Sequence, residues 1–178
     1  DASCQGEADG EVQLGASGGT GNFQFAIDGG TFQPSSTFSG LAAGNYTVTV
    51  QDDSACTGTI SFDVSEPDTV GLSFFSQDIS CFGATNGLIR LQGTGGTSPY
   101  SYTIDGVNFQ FQNEYGGLAA GNYTVQVKDV NGCESQIDQV TFSDPVALSL
   151  SLTGSDITCN GGNDGSVAAV IQGGQEPY

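Results

Sequence analysis

The sequence predicts an all-β chain, built as tandem immunoglobulin-like β-sandwich repeats of about 77 residues. Three observations predict it. The first is a period: Cys4, Cys81 and Cys159 lie 77 and 78 residues apart, and Cys56 and Cys133 lie 77 apart. The second is identity within that period. The run Leu41 to Val48 recurs letter for letter at Leu118 to Val125. The third is patterning. Apolar residues alternate over short runs, turn signals recur every 8 to 12 residues, and no helical periodicity appears.

A repeat in register overrides any single-domain reading of the length. It divides the chain into repeat 1 over 1–67 (its first strand missing or short), repeat 2 over 68–145, and the front of a third over 146–178. Glu66-Pro67 and Asp144-Pro145 mark the two boundaries, where proline stops strand pairing.

Within a repeat the strands are read in order. Leu72 and Phe74, and Leu148, Leu150 and Leu152, alternate in a first strand. A tight turn then ends at Asp9-Gly10, Asn86-Gly87 or Asp164-Gly165, dipeptides that tolerate positive φ. Val12 and Leu14 follow on one face, with Ile89 and Leu91 as counterparts. After Gly18-Gly19 and Gly95-Gly96 come Phe23, Phe25 and Ile27, matched by Tyr100, Tyr102 and Ile104. A looser stretch holds Phe32 and Phe38, or Phe109 and Tyr115. The strongest strand carries Tyr46, Val48 and Val50, or Tyr123, Val125 and Val127, and a last one spans Ile60 to Val64. Leu41, Gly44 and Tyr46, and Leu118, Gly121 and Tyr123, match a tyrosine corner, in which the hydroxyl bonds to backbone a few residues upstream.

A domain this small buries a limited core and needs a staple. Cys4 to Cys56 and Cys81 to Cys133 both span 52 residues, so the simplest pairing is one disulfide per repeat, Cys4–Cys56 and Cys81–Cys133. Such bonds imply an oxidising compartment. Cys159 would then pair with a cysteine near position 211, in an array that continues past Tyr178. A zinc site is not expected: the chain has no His and no Cys-x-x-Cys pair.

Twenty acidic residues face only Arg90 and Lys128, giving a net charge of −18. That balance argues against nucleic acid and anionic membranes as partners, both of which need basic patches. No stretch of 18 apolar residues exists to insert into a membrane. Without His, the usual general base is missing, and the adjacent Asp52 and Asp53 point to opposite faces of a strand. No enzyme activity is expected, and no cofactor. Calcium is the one cation to weigh, since oxygen-rich turns suit it. Glu7 and Asp9 sit in the first turn, and Asn163 and Asp164 in the third. The middle copy has Ala84, Thr85 and Asn86, with no carboxylate, which favours a plain turn. Asn45-Tyr46-Thr47 and Asn122-Tyr123-Thr124 satisfy the N-glycosylation rule, making Asn45 and Asn122 candidates.

Each copy reads as Cys, a Gly-containing turn, Asp/Asn-Gly, a strand, Gly-Gly-x-x-x-Tyr/Phe, Leu-x-x-Gly-x-Tyr-x-Val-x-Val, Asp near a Cys, then acidic-Pro. This order resembles the SprB repeat of Bacteroidota surface proteins over nearly the whole chain. The first copy departs from the second at Asp53-Ser54-Ala55-Cys56, where the second has Asn131-Gly132-Cys133. The resemblance implies a secreted, cell-surface adhesin or filament of many such units, some serving gliding motility and many exported by the type IX route. It also suggests an O-glycosylation signal of Asp, Ser/Thr and a small or aliphatic residue, which Asp53-Ser54-Ala55 and Asp68-Thr69-Val70 fit, at Ser54 and Thr69.

The function expected is therefore a structural one, an extracellular fibre or adhesin stalk whose partners are neighbouring repeats or identical chains. The alternative is a module whose loops bind surface glycans. Near-identical repeats favour the first, because specific binding differentiates copies. Phe75, Phe82 and Phe111 have no inward slot in the alternation, and Phe75 beside the boundary suits packing between repeats or chains.

Overall fold

The computed structural model describes residues 1–174. Every regular element among them is a β-strand, and no helix is long and apolar enough to cross a membrane. The end of the third-repeat region, residues 175–178, lies outside the described residues.

Repeat 1 holds β1 (Gly10–Gln13), β2 (Gln24–Ile27), β3 (Thr37–Leu41), β4 (Gly44–Gln51) and β5 (Thr57–Val64). β1 pairs antiparallel with β3, and β2, β4 and β5 form a second antiparallel sheet in the order β2-β4-β5. The looser stretch after Phe32 thus contains a strand, β3, that completes the first sheet. The two layers meet closely at Gly10, where a Cβ would stand 2.9 Å from Val64 Cγ1 and 2.7 Å from the Leu41 carbonyl oxygen. Only glycine lets β1 lie against β5 there. Phe25, Ala26, Leu41, Val48 and Val64 are the buried apolar residues of this repeat's strands. Each large one contributes roughly 1.5–3 kcal/mol by leaving water.

Repeat 2 holds β6 (Gly71–Gln77), β7 (Gly87–Thr94), β8 (Ser101–Thr103), β9 (Glu114–Leu118), β10 (Gly121–Lys128) and β11 (Asp138–Phe142). These form two three-stranded sheets, β6-β7-β9 and β11-β10-β8. Their inner faces carry Ile89 and Leu91 on one side and Val125, Val140 and Phe142 on the other, all buried. The Phe142 ring would stand 3.0 Å from a Cβ at Gly87, so glycine again sets the layer spacing. This is the immunoglobulin-like sandwich that the alternation predicts. Ile89 is fully buried where its counterpart Val12 is only partly buried. The reason is that β7 lies between β6 and β9, whereas β1 pairs with β3 alone.

From the third copy, β12 (Ser149–Ser155) and β13 (Ser166–Gln172) form one antiparallel hairpin whose residues are all exposed.

The compact units cut across the sequence repeats. One comprises Asp1–Leu72, Gly93–Ser101 and Val127–Gln136; the other comprises Ser73–Gln92, Tyr102–Gln126 and Ile137–Tyr178. The first unit therefore takes two segments of repeat 2 together with repeat 1, and the cysteine chemistry accounts for this.

Candidate functional site

The turn that carries Cys4 is built by Asp9. Its carboxylate accepts the Ser3 amide at 2.8 Å and also the Ser3 hydroxyl. These bonds, hydroxyl first, hold the Asp9 carboxyl below the usual carboxylate range. The Gly6 amide donates to Glu66 at 2.7 Å, and the Ala2 amide to the Ser65 carbonyl at 2.9 Å. Both contacts fasten the turn beside the end of β5. The other copies repeat the device. Asn86 accepts the Ser80 amide at 3.1 Å, Asp164 accepts the Thr158 amide at 3.1 Å, and the Gly83 amide donates to Asp144 at 3.0 Å. The calcium candidates Asp9 and Asp164 thus close their own turns, in the same way that an uncharged Asn does in the middle copy. Among the described residues no group of three or more Cys, Asp or Glu side chains is placed to hold a metal ion.

A second aspartate builds the turn that carries the trailing cysteine. Asp129 is buried, and its Oδ1 accepts the amides of Asn131 and Cys133, both at 2.9 Å, while Oδ2 accepts the Thr97 amide at 2.8 Å. Asp52 does the same in repeat 1. Oδ1 accepts the amides of Ser54 and Cys56 at 2.9 Å, and Oδ2 accepts the Thr20 amide at 3.0 Å. The Thr20 amide, then that of Cys56, lowers the Asp52 carboxyl below its ordinary range. These residues were not singled out as site residues from sequence. The available signal was an Asp four positions before the cysteine in both copies. The residue before the cysteine is left-handed in each turn, Gly132 at φ 91° and Ala55 at φ 63°.

Cys4 is bonded to Cys133, 129 residues away, with the Cα atoms 5.7 Å apart. Asn131 adds a bond from its side-chain amide to the Ser3 carbonyl at 3.1 Å. The expected pairings Cys4–Cys56 and Cys81–Cys133 are corrected by this. Cys56, Cys81 and Cys159 are free and exposed. The reason lies in the β4–β5 ladder. Cys56 closes the hairpin at the Gln51–Thr57 end, and Cys4 is fastened near the Gly44–Val64 end. Eight residues of strand hold those ends roughly 24 Å apart at ~3.4 Å per residue, far beyond the ~7 Å limit for a disulfide. The staple therefore joins the leading cysteine of one repeat to the trailing cysteine of the next.

The other sites predicted from sequence are placed as follows. Tyr46 Oη donates to the Ala42 carbonyl at 2.9 Å, and Tyr123 Oη to that of Ala119 at 3.0 Å. The Tyr46 ring stacks on Phe62 with centroids 5.7 Å apart, and Tyr123 lies at the same distance from Phe142. Both bonds are exposed to solvent, not buried. The four glycosylation candidates are exposed, and each already has a partner. Asn45 donates to Asp63, Asn122 accepts from Thr141, Ser54 shares a bond with Thr20, and Thr69 donates to Gln5. Phe75, Phe82 and Phe111 are more than half exposed. Arg90 pairs with Glu114 at 2.8 Å and Lys128 with Glu134 at 2.7 Å, so both cations of the chain are engaged by carboxylates.

No curated protein matches the sequence. Among solved structures, the fibronectin(III)-like modules of Clostridium thermocellum CbhA align over 81% of this chain and 92% of theirs, at 14% identity and a TM-score of 0.37. The SprB repeat pattern matches residues 1–32, 73–109 and 151–178, the front of each of the three copies. SprB repeats occur in cell-surface proteins. Those segments cover more than half of the residues, and the chain belongs to the SprB repeat family.

Proposed function

We propose that this chain is a non-catalytic, extracellular structural module, a length of cell-surface fibre or adhesin stalk whose working contacts are between successive repeats. The observation that carries this reading is the Cys4–Cys133 bond, which spends the staple on joining repeats rather than on closing one. A disulfide of this kind persists in oxidising surroundings, which supports a location outside the cell. The charge supports it too. With Arg90 and Lys128 both paired to glutamates, the rest of the −18 surface is left to repel neighbouring fibres and hold water.

O-glycans at Ser54 or Thr69, and N-glycans at Asn45 or Asn122, fit the same setting, because all four side chains are exposed. Attachment at Thr69 would cost the bond it donates to Gln5, whereas Asn122 accepts from Thr141 through Oδ1 and could keep that bond.

Electron microscopy of native material tests the reading: an ordered filament or stalk with a repeat spacing supports it. A glycan array probed with the full chain tests the alternative. Strong, selective binding to one glycan class would replace the structural role with an adhesive one.

A further inference from the structure

The wiring of Cys4 to Cys133 assigns a partner to Cys81. By the period, Cys81 is the copy of Cys4, and it sits on a turn closed and fastened in the same manner, through Asn86 and Asp144. In the first unit, the surface beside the equivalent Cys4 turn is occupied. The Asp129–Cys133 turn lies on it, Val70 is 5% exposed, and the Gly96 amide is bonded to the Asp68 carbonyl at 2.8 Å.

The second unit contains the same surface with its backbone already in place. The Gly174 amide is bonded to the Val146 carbonyl at 2.9 Å, as Gly96 is to Asp68. Here, however, Leu148, the copy of Val70, is 65% exposed. It lines an apolar cleft of about 860 Å³ with Cys81, Val146, Ile171 and Gly174. An exposed thiol at the mouth of an apolar cleft, on a turn whose twin is disulfide-bonded, is a docking site with its covalent anchor in view.

We infer that this cleft seats a cysteine-bearing turn of the Asp-x-x-Gly-Cys kind from the rear half of the following repeat, and that Cys81 forms a disulfide with it. This rests on reading the chain as a repeat array. The step is a thiol oxidation. An S–S bond forms between Cys81 Sγ and the incoming Sγ, and both S–H bonds break. The two protons and two electrons pass to a disulfide oxidant of the export compartment, whose own S–S bond opens to two thiols. By the same equivalence Cys56, held by Asp52 as Cys133 is by Asp129, is the anchor presented to a preceding repeat.

The experiment extends the full chain after Gly174 with a second copy of residues 97–145, which completes a third repeat. The protein is produced under oxidising conditions and its peptides are mapped without reduction. The expected result is a link from the added cysteine to Cys81, with Cys159 still a free thiol. In a Cys81→Ser variant of the extended chain the added cysteine should be recovered as a free thiol. A link to Cys159, or a free thiol at Cys81 in a folded extended chain, overturns the proposal. The array reading fails separately: in that case Cys4–Cys133 itself is missing from the folded, unextended chain.

Discussion

Asp129 Oδ1 accepts the amide of Cys133 at 2.9 Å, as Asp52 Oδ1 accepts that of Cys56. The carboxylate thereby fixes the orientation of the sulfur that reaches Cys4. Asp129→Ala leaves three part-buried amides without this acceptor. The expected loss is about 1–3 kcal/mol in urea unfolding, with slower formation of the Cys4–Cys133 bond on refolding. Asp52→Ala should cost stability and leave that rate unchanged, because Cys56 is free.

Removing the staple separates the two possible wirings. Closing a loop over a separation of 129 residues stabilises by roughly 5 kcal/mol in the chain-entropy model, before any strain. Cys4→Ser and Cys133→Ser should each lose a large part of this in denaturant unfolding. Cys56→Ser and Cys81→Ser should fall within about 0.5 kcal/mol of the parent. Equal losses at Cys4 and Cys56 would restore the within-repeat pairing.

Ala55 sits at φ 63°, where Gly132 stands in the second copy at φ 91°. A Cβ in that region costs roughly 1–2 kcal/mol, and glycine gives back part of the gain through its looser unfolded state. Ala55→Gly should therefore raise stability by about 0.5–1 kcal/mol, read as a shift in denaturation midpoint. The reverse change, Gly132→Ala, should lower it.

The Tyr46 hydroxyl bond is exposed, and its ring keeps its stack on Phe62 when the oxygen is removed. Tyr46→Phe is expected to cost about 0.5–1 kcal/mol, the low end for a hydrogen bond. Tyr46→Ala should cost several times more through lost packing. Thermal melts of the two variants measure the difference.

Asp105 shows how the fold responds to acid. The Asn108 amide, then the Asn108 side chain, Thr103 and Val107, hold its carboxyl well below the usual carboxylate range. A lowered folded-state pKa contributes stability above the unfolded value of about 3.9, and that stability fades as pH falls through the folded value. Urea midpoints of the parent and Asp105→Asn should differ by a constant amount from pH 7 to pH 5. They should converge below pH 4. A gap that stayed constant down to pH 2 would dismiss this role.

Most of the fold was legible because it is written locally and twice. The alternation at Tyr46, Val48 and Val50, repeated at Tyr123, Val125 and Val127, can only sit as a half-buried strand, and β4 and β10 fall there. Strand β3 was less legible. Phe38 stands among Ser, Thr and Gly, and its strand is set by pairing with β1 rather than by its own pattern. The disulfide could not be read because a period says which cysteines are equivalent, not which ends of a repeat are near. Spacings of 52 and 129 are equally periodic, and only the length of the β4–β5 ladder excludes the shorter one. The turn-building role of Asp52 and Asp129 was not legible because a carboxylate that accepts chiefly backbone amides leaves little trace of its partners in the sequence.

The Cys4–Cys133 bond also decides what happens when the chain is pulled. Tension entering at Asp1 crosses at Cys4 directly to Cys133, so the 129-residue span between them carries none of it. Even if every strand in that span came apart, roughly 430–460 Å of contour would stay hidden, at ~3.3–3.6 Å per residue. Single-molecule extension should show that length only after reduction. The staple therefore holds the reach from Cys4 to Cys133 at the width of one disulfide, whatever becomes of the strands between them under load.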